Sequence, residues 1–408
     1  MNILFISISS LPHISKHSIS LDLLHEFKRN GHNIYILCSL ERRDERTTFI
    51  CEEFGCTVLR VKIGNNKRAN LIEKGLTQAL LPYQYIQAIK KYYSDIKFDL
   101  VMYPTPPVTQ GKTVEYLKKR DGSITYLVLR DIFPQNALDI GLMRNNGIKG
   151  LAYRYFRKKE EDLYKISDYI GCMSEANVDY LLKHNKRIEP DRVGICPNCI
   201  EIEDKQIDDS VTENIRRKYG LPLDKKIFIY GGNLGKPQGI PFLIECLEKT
   251  RIVEQAFFLI IGAGTEYSLL DRYCKTTYQN RVRLMNRIPK EDYDILVAAC
   301  DIGLIFLDHR FTIPNFPSRL LGYIQAHVPV FACTDPNTDI GEKIVEGDFG
   351  WWCESNDPSG FLKIVQYIAA MDESSLSAKG DNGFKYLQEN YDTKIAYNNI
   401  MAQISKRQ

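Results

Sequence analysis

One pattern recurs along the chain and constrains its fold more than any other feature: a short apolar segment, a loop, and then apolar residues at helical spacing. The first example starts with the strand pattern Asn2–Ser9 and stops at Asn30-Gly31. Further strand patterns follow at 34–37, 57–61, 100–103, 124–129, 168–172 and 193–196. Strands that alternate with helices in this way predict a parallel sheet covered by helices.

A second series of the same units begins after a polar, acidic stretch at 200–218, with strand patterns at 227–230, 257–261, 282–284, 302–306, 328–332 and 350–352. The length of 408 residues accommodates two domains of about 200 residues. We therefore predict an α/β protein with two doubly wound, Rossmann-like domains facing each other across a cleft. Their predicted bounds are 1–200 and 201–383, and a C-terminal helix over 384–408 is predicted to cross back to the first domain.

Charge is divided unevenly between the two halves. Residues 1–200 contain 30 Lys and Arg against 22 Asp and Glu, whereas the remainder contains 24 against 29. A basic helical pattern with aromatic residues at 151–165 either lies on an anionic membrane surface or is a solvated face. Nucleic-acid binding is disfavoured because acidic residues such as Glu160-Glu161-Asp162 interrupt the basic ones.

The eleven cysteines are scattered singly through apolar segments, which favours a reducing compartment over a disulfide framework. No charged leader precedes the first strand pattern, and no apolar run reaches the length of a membrane span. We expect a cytoplasmic protein that makes peripheral contact with the inner membrane surface. Cys196 and Cys199 have the spacing of a zinc-binding pair, but no second pair accompanies them, so no metal site is predicted.

The stretch 231–239 contains the most informative motif. Four glycines, at 231, 232, 235 and 239, follow a strand and open a helix, and Lys236 adds a mobile positive charge. The motif is either a phosphate cradle or a tight connection that needs glycine for its backbone. Its spacing matches neither a P-loop nor a dinucleotide fingerprint, so nucleotide hydrolysis and a nicotinamide cofactor lose support.

Three further strand ends carry candidate ligand-binding groups. Gly262, Gly264 and Glu266 form a second glycine loop, and the extended segment Arg287-Ile288-Pro289 offers main-chain groups to the edge of a base. Pro317 is predicted at the first position of a helix. The N–H groups of Ser318, Arg319 and Leu320 would then be unpaired and directed at a diphosphate.

The order and spacing of these elements resemble the retaining, nucleotide-sugar-dependent glycosyltransferases of the GT-B architecture, classed as family four. The stretch 262–266 resembles that family's donor loop, and 317–330 resembles the helix that holds the donor diphosphate. The stretches 232–239 and 130–134 are most similar to the subgroup that builds bacterial O-antigen, capsule or exopolysaccharide. UDP is among the nucleotides that this resemblance implies.

The resemblance implies a donor site that departs from the family pattern in two respects. The family's paired Glu residues are replaced by Pro314 and Gly322, and its phosphate-binding Arg and Lys by Asn233 and Gln238. Asn315 or main-chain groups would substitute for the lost contacts. The implied donor-binding residues are Gly232, Asn233, Gly235, Gln238, Gly262, Gly264, Glu266, Arg287, Ile288, Asn315, Pro317, Ser318 and Leu320.

In the first half, Arg130 and Asp131 end a strand. They either form a structural ion pair or, as the resemblance implies, Arg130 takes the place of a polar residue that faces the transferred sugar. Residues expected to bind the acceptor are Ser10, His13, Pro106 and Glu175, although capping of the next helix is the role that its position favours for Glu175.

The implied mechanism is front-face substitution, in which the departing diphosphate deprotonates the acceptor hydroxyl. Arg130, Asp131, Lys236 and Arg319 are the implied catalytic residues, and neither a cofactor nor a metal is required. The implied partners are a nucleotide sugar and a glycan or polyprenyl-diphosphate-linked acceptor. Two alternatives stay open: a nucleotide-sugar epimerase of the same architecture, and a catalytically silent glycan-binding or scaffold subunit.

Overall fold

The computed structural model describes residues 1–8, 10–65, 71–148, 150–277 and 281–406. The chain forms two compact units, one made of Met1–Glu201 with Thr393–Gln408 and the other of Ile202–Asp392. No helix among these described residues is long and apolar enough to cross a membrane.

The first unit is built on an eight-stranded sheet. Its strands are β1 (Asn2–Ile6), β2 (Asn33–Glu41), β3 (Phe49–Glu53), β4 (Cys56–Ile63), β5 (Leu100–Thr105), β6 (Ile124–Leu129), β7 (Tyr169–Cys172) and β8 (Val193–Ile195). Their order is β3-β4-β2-β1-β5-β6-β7-β8. Strand β1 ends before the predicted Ser9, which lies outside the described residues.

The edge strand β3 departs from the predicted parallel arrangement because it pairs antiparallel with β4. Its side chains alternate between half-buried and exposed, and both Phe54 and Gly55 have a positive φ in the connecting turn. A strand at an open edge needs no continuous apolar run, so the sequence pattern did not reveal it.

Helices cover this sheet: α1 (Ile19–Arg29), α2 (Leu71–Tyr92), α3 (Gly111–Asp121), α4 (Gln135–Asp139), α5 (Gly150–Ile166) and α6 (Glu175–His184). Helix α1 shows how the sequence fixes an element. Its N-cap Ser18 accepts the N–H of Leu21 at 3.3 Å, and Leu21, Leu24 and Phe27 form its buried face.

The second unit contains a six-stranded parallel sheet. Its strands are β9 (Lys226–Asn233), β10 (Ala256–Ala263), β11 (Val282–Met285), β12 (Ile302–Phe306), β13 (Val330–Thr334) and β14 (Gly350–Glu354). The order β11-β10-β9-β12-β13-β14 is that of a doubly wound sheet whose strand order reverses between β9 and β12. Such sheets bind ligands at the carboxyl ends of the strands beside this reversal.

The helices of the second unit are α7 (Asp209–Lys218), α8 (Ile240–Lys249), α9 (Tyr267–Thr277), α10 (Lys290–Ala298), α11 (Arg319–Gln325), α12 (Ile340–Glu346), α13 (Pro358–Ala369) and α14 (Glu373–Asn390). The last helix, α15 (Thr393–Ser405), belongs to the first unit. The predicted α/β class with two doubly wound units is confirmed. The single helix predicted over 384–408 is wrong, because this stretch is divided between α14 and α15 at Tyr391-Asp392.

Candidate functional site

Two glycine loops lie side by side at the carboxyl ends of β9 and β10. Gly232 is paired with Gly262 in the strand register. Beyond the strands, the N–H of Leu234 donates to the carbonyl of Ala263 at 3.0 Å, and the N–H of Glu266 donates to the carbonyl of Leu234 at 2.9 Å. The loops 231–239 and 262–266, which the sequence singled out separately, therefore form one structure.

Glycine is required in these loops by the close approach of the two backbones. A Cβ atom at Gly262 would lie 2.1 Å from the carbonyl oxygen of Gly232, and one at Gly264 would lie 2.1 Å from that of Leu234. Gly232 itself has a φ of +134°. Backbone geometry thus accounts for Gly232, Gly262 and Gly264 in the way that a tight connection requires. The phosphate-cradle interpretation therefore has to be supported by the side chains around these loops.

Asn233 and Gln238 bond to each other within the first loop. The amide nitrogen of Asn233 donates to Oε1 of Gln238 at 2.8 Å, and the N–H of Gly235 reaches the same oxygen at 3.4 Å. Gln238 is buried, whereas Lys236 between them is exposed and has no ion-pair partner among the described residues. Lys236 is therefore the side chain of this loop that is available to an anion.

Arg319, at the start of α11, lies against the first glycine loop. Its guanidinium carbon is 4.4 Å from the centre of the Tyr230 ring, and its Nη2 is 3.4 Å from the position that a Cβ of Gly232 would occupy. Its Nη1 is buried without a hydrogen-bond partner among the described residues. A buried guanidinium nitrogen with no acceptor is a strong candidate for binding an anionic ligand.

Tyrosines that the sequence analysis did not single out hold this arrangement together. Tyr323 accepts the N–H of Gly231 at 3.3 Å and lies within hydrogen-bond distance of the carbonyls of Ile229 and Leu304. Burial raises the pKa of Tyr323 to about 12, so the hydroxyl stays neutral. In the sequence Tyr230 and Tyr323 resemble ordinary core residues, and only the fold places them around Arg319.

The main-chain donors predicted at α11 are only partly available. Ser318 is the N-cap, Pro317 precedes it, and the helix begins at Arg319, so the prediction of Pro317 at the first helical position is wrong. The prediction that the Leu320 N–H is unpaired is also wrong, because it donates to the carbonyl of Pro317 at 3.2 Å. A tight turn before this short helix consumes that donor, whereas the Arg319 side chain keeps a nitrogen with no hydrogen-bond partner among the described residues.

Two other predicted donor residues also carry unpaired polar atoms. Oε2 of Glu266 and Nδ2 of Asn315 are buried without a hydrogen-bond partner among the described residues. The backbone of Asn315 is fixed, because its carbonyl accepts the hydroxyl of Thr338 at 2.6 Å. One donor group and one acceptor group of the candidate site thus have no hydrogen-bond partner in the described part of the chain.

The remaining predicted donor positions differ in exposure. Arg287 is exposed and Ile288 half-buried in the loop after the edge strand β11, beside the strand that carries the second glycine loop. Gly322, which replaces a family Glu, is exposed, and a Cβ there would meet no atom within 4 Å. Pro314, which replaces the other Glu, is buried.

In the first unit, Arg130 and Asp131 follow β6 but form no ion pair with each other. Nη1 of Arg130 donates to Oγ of Ser20, in the first turn of α1, at 2.8 Å, and its Nε is buried without a partner among the described residues. Burial lowers the pKa of Arg130 and raises that of Asp131. The structural ion-pair interpretation is therefore wrong, and Arg130 keeps a free nitrogen.

The predicted acceptor residues of the first unit are spread over three loops. His13 is exposed and its Nδ1 bonds Oγ of Ser15 at 2.8 Å, Ser10 is half-buried in the same loop, and Pro106 is exposed after β5. Glu175 is the first residue of α6, after the N-cap Ser174, where a carboxylate favours the helix dipole.

Arg60 is a residue of this region that the sequence analysis missed. It is buried, forms an ion pair with Glu53 at 2.9 Å, and donates to the carbonyl of Leu11 at 2.9 Å. Arg60 therefore fixes the loop that carries Ser10 and His13, and nothing in its local sequence indicates this role.

Comparison with known proteins identifies relatives of the chain. Residues 211–382 match the family model "Glycosyl transferases group 1". The chain is 25% identical over 343 residues to "Probable glycosyltransferase WbjE" of Pseudomonas aeruginosa, with 84% of this chain and 82% of that protein covered. It is 26% identical over 253 residues to WcaI of Escherichia coli K12, with 60% of each covered, and the name of WcaI assigns it to colanic acid biosynthesis.

The fold is similar to that of a solved structure over its whole length. Anabaena HepE, solved in complex with UDP-glucose, superposes with a TM-score of 0.70 at 14% identity, covering 100% of both chains. The family match covers the loops of the second unit described above, and it confirms the resemblance that their residues indicated. The second unit therefore matches the group 1 glycosyl transferases over residues 211–382, and the chain has the two-sheet GT-B fold.

Proposed function

We propose that the protein transfers a sugar from a nucleotide sugar to a hydroxyl group of a glycan or polyprenyl-diphosphate-linked acceptor, in the assembly of a cell-surface polysaccharide. The relative WcaI is named for such a pathway, and HepE was solved with UDP-glucose. By this likeness, a uridine nucleotide is the first donor to test.

The observation that carries this proposal is Arg319 with its buried, unpaired Nη1 beside Gly232. The nucleotide diphosphate is the anion that we assign to it, with Lys236 as the second cation. Glu266 and Asn315, each with an unpaired polar atom, are assigned to hydroxyl groups of the donor.

The proposed reaction proceeds with retention and without a metal ion. The bond between the anomeric carbon and the diphosphate oxygen breaks as the acceptor oxygen attacks the same face of the sugar. The acceptor proton passes to the departing diphosphate. Arg319 and Lys236 stabilise the negative charge that grows on the diphosphate, and such fixed electrostatic stabilisation is the largest catalytic contribution in many enzymes.

Arg130 is assigned to the transferred sugar, and Asp131 stays a proposed catalytic residue beside it. The unpaired Nε of Arg130 at the carboxyl end of β6 supports this assignment. Ser10, His13, Pro106 and Glu175 remain the proposed acceptor contacts.

The test is a thermal-shift screen with nucleotide sugars, followed by measurement of nucleoside diphosphate release with candidate acceptors. Stabilisation by a uridine sugar, and its loss in Arg319→Ala, is the expected result. Conversion of the sugar without any acceptor would instead identify an epimerase. Absence of binding by any nucleotide sugar would identify a silent scaffold subunit.

A further inference from the structure

A cavity of about 850 Å³ lies in the first unit between helices α2, α3 and α5. It is bordered by residues that have no part in the candidate site. Five of its lining residues are lysines, against two acidic residues: Lys112, Lys118, Lys119, Lys159 and Lys165, with Glu115 and Asp162.

The charges in the cavity do not cancel. Lys119 pairs with Glu115 at 2.6 Å, Lys159 approaches Asp162 at 3.7 Å, and Lys118 pairs with Asp168 at 2.7 Å. Lys112 and Lys165 are both exposed and have no ion-pair partner among the described residues. The cavity thus presents an excess of positive charge that no group within the described chain neutralises.

Not every basic residue of the sequence pattern contributes to this charge. Arg157, on α5, forms an ion pair with the buried Glu160. Arg120, on α3, is bound by Asp121 and by the carbonyls of Tyr93 and Ile96. Both arginines are therefore structural, whereas Arg154 and Lys158 of α5 are exposed outside the cavity lining and add to the positive charge of this face.

Large apolar side chains are exposed beside these lysines. Tyr155 lines the cavity and is 50% exposed, and Leu151, one turn before it on α5, is 57% exposed. On α2, Leu80 and Tyr83 are exposed close to the lining residues Ala79 and Pro82. Lysines with exposed aliphatic and aromatic side chains are the combination that binds an interface with both headgroups and acyl chains.

We propose that this lysine cavity and its apolar rim dock the protein on a bilayer that contains anionic phospholipids. Each Lys near an anionic headgroup layer strengthens binding, and the apolar side chains enter the layer beneath. A soluble anion would use the lysines but would leave the exposed Leu151 and Tyr155 without a role. The proposal does not depend on which sugar is transferred, or on transfer at all.

The experiment is co-sedimentation of the full chain with vesicles of phosphatidylcholine alone or mixed with phosphatidylglycerol. We expect binding to the mixed vesicles, weakened by salt. Reversing both unpaired charges (Lys112→Glu with Lys165→Glu) should reduce this binding at least about tenfold. The matched control is Lys97→Glu with Lys186→Glu, which changes net charge equally at exposed lysines outside the cavity lining and should retain most of the binding.

A second double variant distinguishes binding to a membrane from binding to a soluble anion. Leu151→Ser with Tyr155→Ser should reduce vesicle binding and leave any binding of inorganic polyphosphate unchanged. Four results would each overturn the proposal. Two concern charge: equal binding to neutral and anionic vesicles, or an equal loss of binding in the control pair. The other two are no effect of the serine variants, and stronger binding to single-stranded DNA than to vesicles. Unchanged thermal unfolding of each variant, and unchanged nucleotide-sugar binding, exclude a folding defect and keep this test separate from that of sugar transfer.

Discussion

The guanidinium group of Arg319 lies over the face of Tyr230, 4.4 Å from its ring centre. Its Nη1 has no hydrogen-bond partner in the part of the chain that the structure describes, so the charge of this cation remains available to a ligand. We predict that Arg319→Ala lowers the rate of nucleoside diphosphate release by about 10²–10³-fold. Arg319→Lys should be only partly active, because an ammonium group lacks the planar fork of donors. An Arg319→Ala rate within threefold of wild type, a margin of about 0.7 kcal/mol, would contradict the assignment.

Tyr230 gives the matched control for this contact. Its hydroxyl donates to the carbonyl of Asn233 at 2.8 Å, so the same ring orients Arg319 and fixes the first glycine loop. Tyr230→Phe keeps the ring face and should cost about 1 kcal/mol of stability, with less than a tenfold loss of rate. Tyr230→Leu should approach the defect of Arg319→Ala. Equal rates for the Phe and Leu variants would show that the ring face has no role.

A second prediction concerns the two glycine loops. Gly264→Ala would place a methyl group 2.1 Å from the carbonyl oxygen of Leu234, so one of the loops has to move. We expect a loss of about 1–3 kcal/mol in the free energy of unfolding, with loss of nucleotide-sugar binding. Both tryptophans of the chain, Trp351 and Trp352, lie in β14 of the second unit, so their fluorescence during urea unfolding reports on this unit.

Gly322 is the matched glycine for that experiment. A Cβ there meets no atom within 4 Å, and the residue lies inside α11 without a positive φ. Gly322→Ala should therefore stabilise the second unit by about 0.5–1 kcal/mol. Destabilisation by this variant would show that the space beside Gly322 is not free.

Much of this molecule could be predicted from periodicity, and the exceptions have physical causes. The strands of both sheets are apolar runs that end in Gly, Pro or polar loops, so their existence follows from local sequence. The antiparallel β3 is half-exposed and leaves no such run. Loop chemistry could indicate the donor residues, but not their contacts. The bond between Asn233 and Gln238 depends on how the first loop folds, and the position of Arg319 over Tyr230 depends on the tertiary fold.

The bond between Asn233 and Gln238 makes a third prediction. Since these side chains bond to each other, Asn233→Ala and Gln238→Ala should not be additive in the free energy of unfolding, with a coupling of about 1 kcal/mol. If both residues instead contact the donor independently, the KM of the double variant should rise by the product of the two single increases, with no coupling in stability. Urea unfolding and initial rates of the four proteins distinguish the two cases.

Arg130 makes a fourth prediction, because the described residues provide its Nη1 with a single partner, Ser20. Arg130→Met should lower kcat by about 10²-fold if the guanidinium contacts the transferred sugar. Binding of the bare nucleotide should be unchanged, since its proposed contacts lie in the second unit. Ser20→Ala removes only the orienting bond and should cost less than about tenfold. A larger effect of Ser20→Ala than of Arg130→Met would mean that the serine itself is required.

Asp335 makes the last prediction, on pH dependence. It follows β13, is fully buried, and carries an Oδ2 with no partner among the described residues. Burial raises its pKa from 3.8 to about 6, although the N–H of Asn337 donates to Oδ1 at 2.9 Å. The folded state therefore holds the proton more tightly than the unfolded chain does.

The contribution of Asp335 to the free energy of unfolding should then be greatest below pH 4, and it should fall as the pH rises from 4 through 6. Above that range, the free energy of unfolding should be lower by about 3 kcal/mol than it is below pH 4. Asp335→Asn keeps an acceptor for Asn337 and cannot ionise, so the variant should be more stable than wild type at pH 8 and equal to it near pH 4. The exposed Asp224→Asn serves as the control and should follow wild type throughout. Tryptophan-monitored urea unfolding between pH 4 and 8 measures the difference, and parallel curves for wild type and Asp335→Asn would show that Asp335 does not titrate in this range.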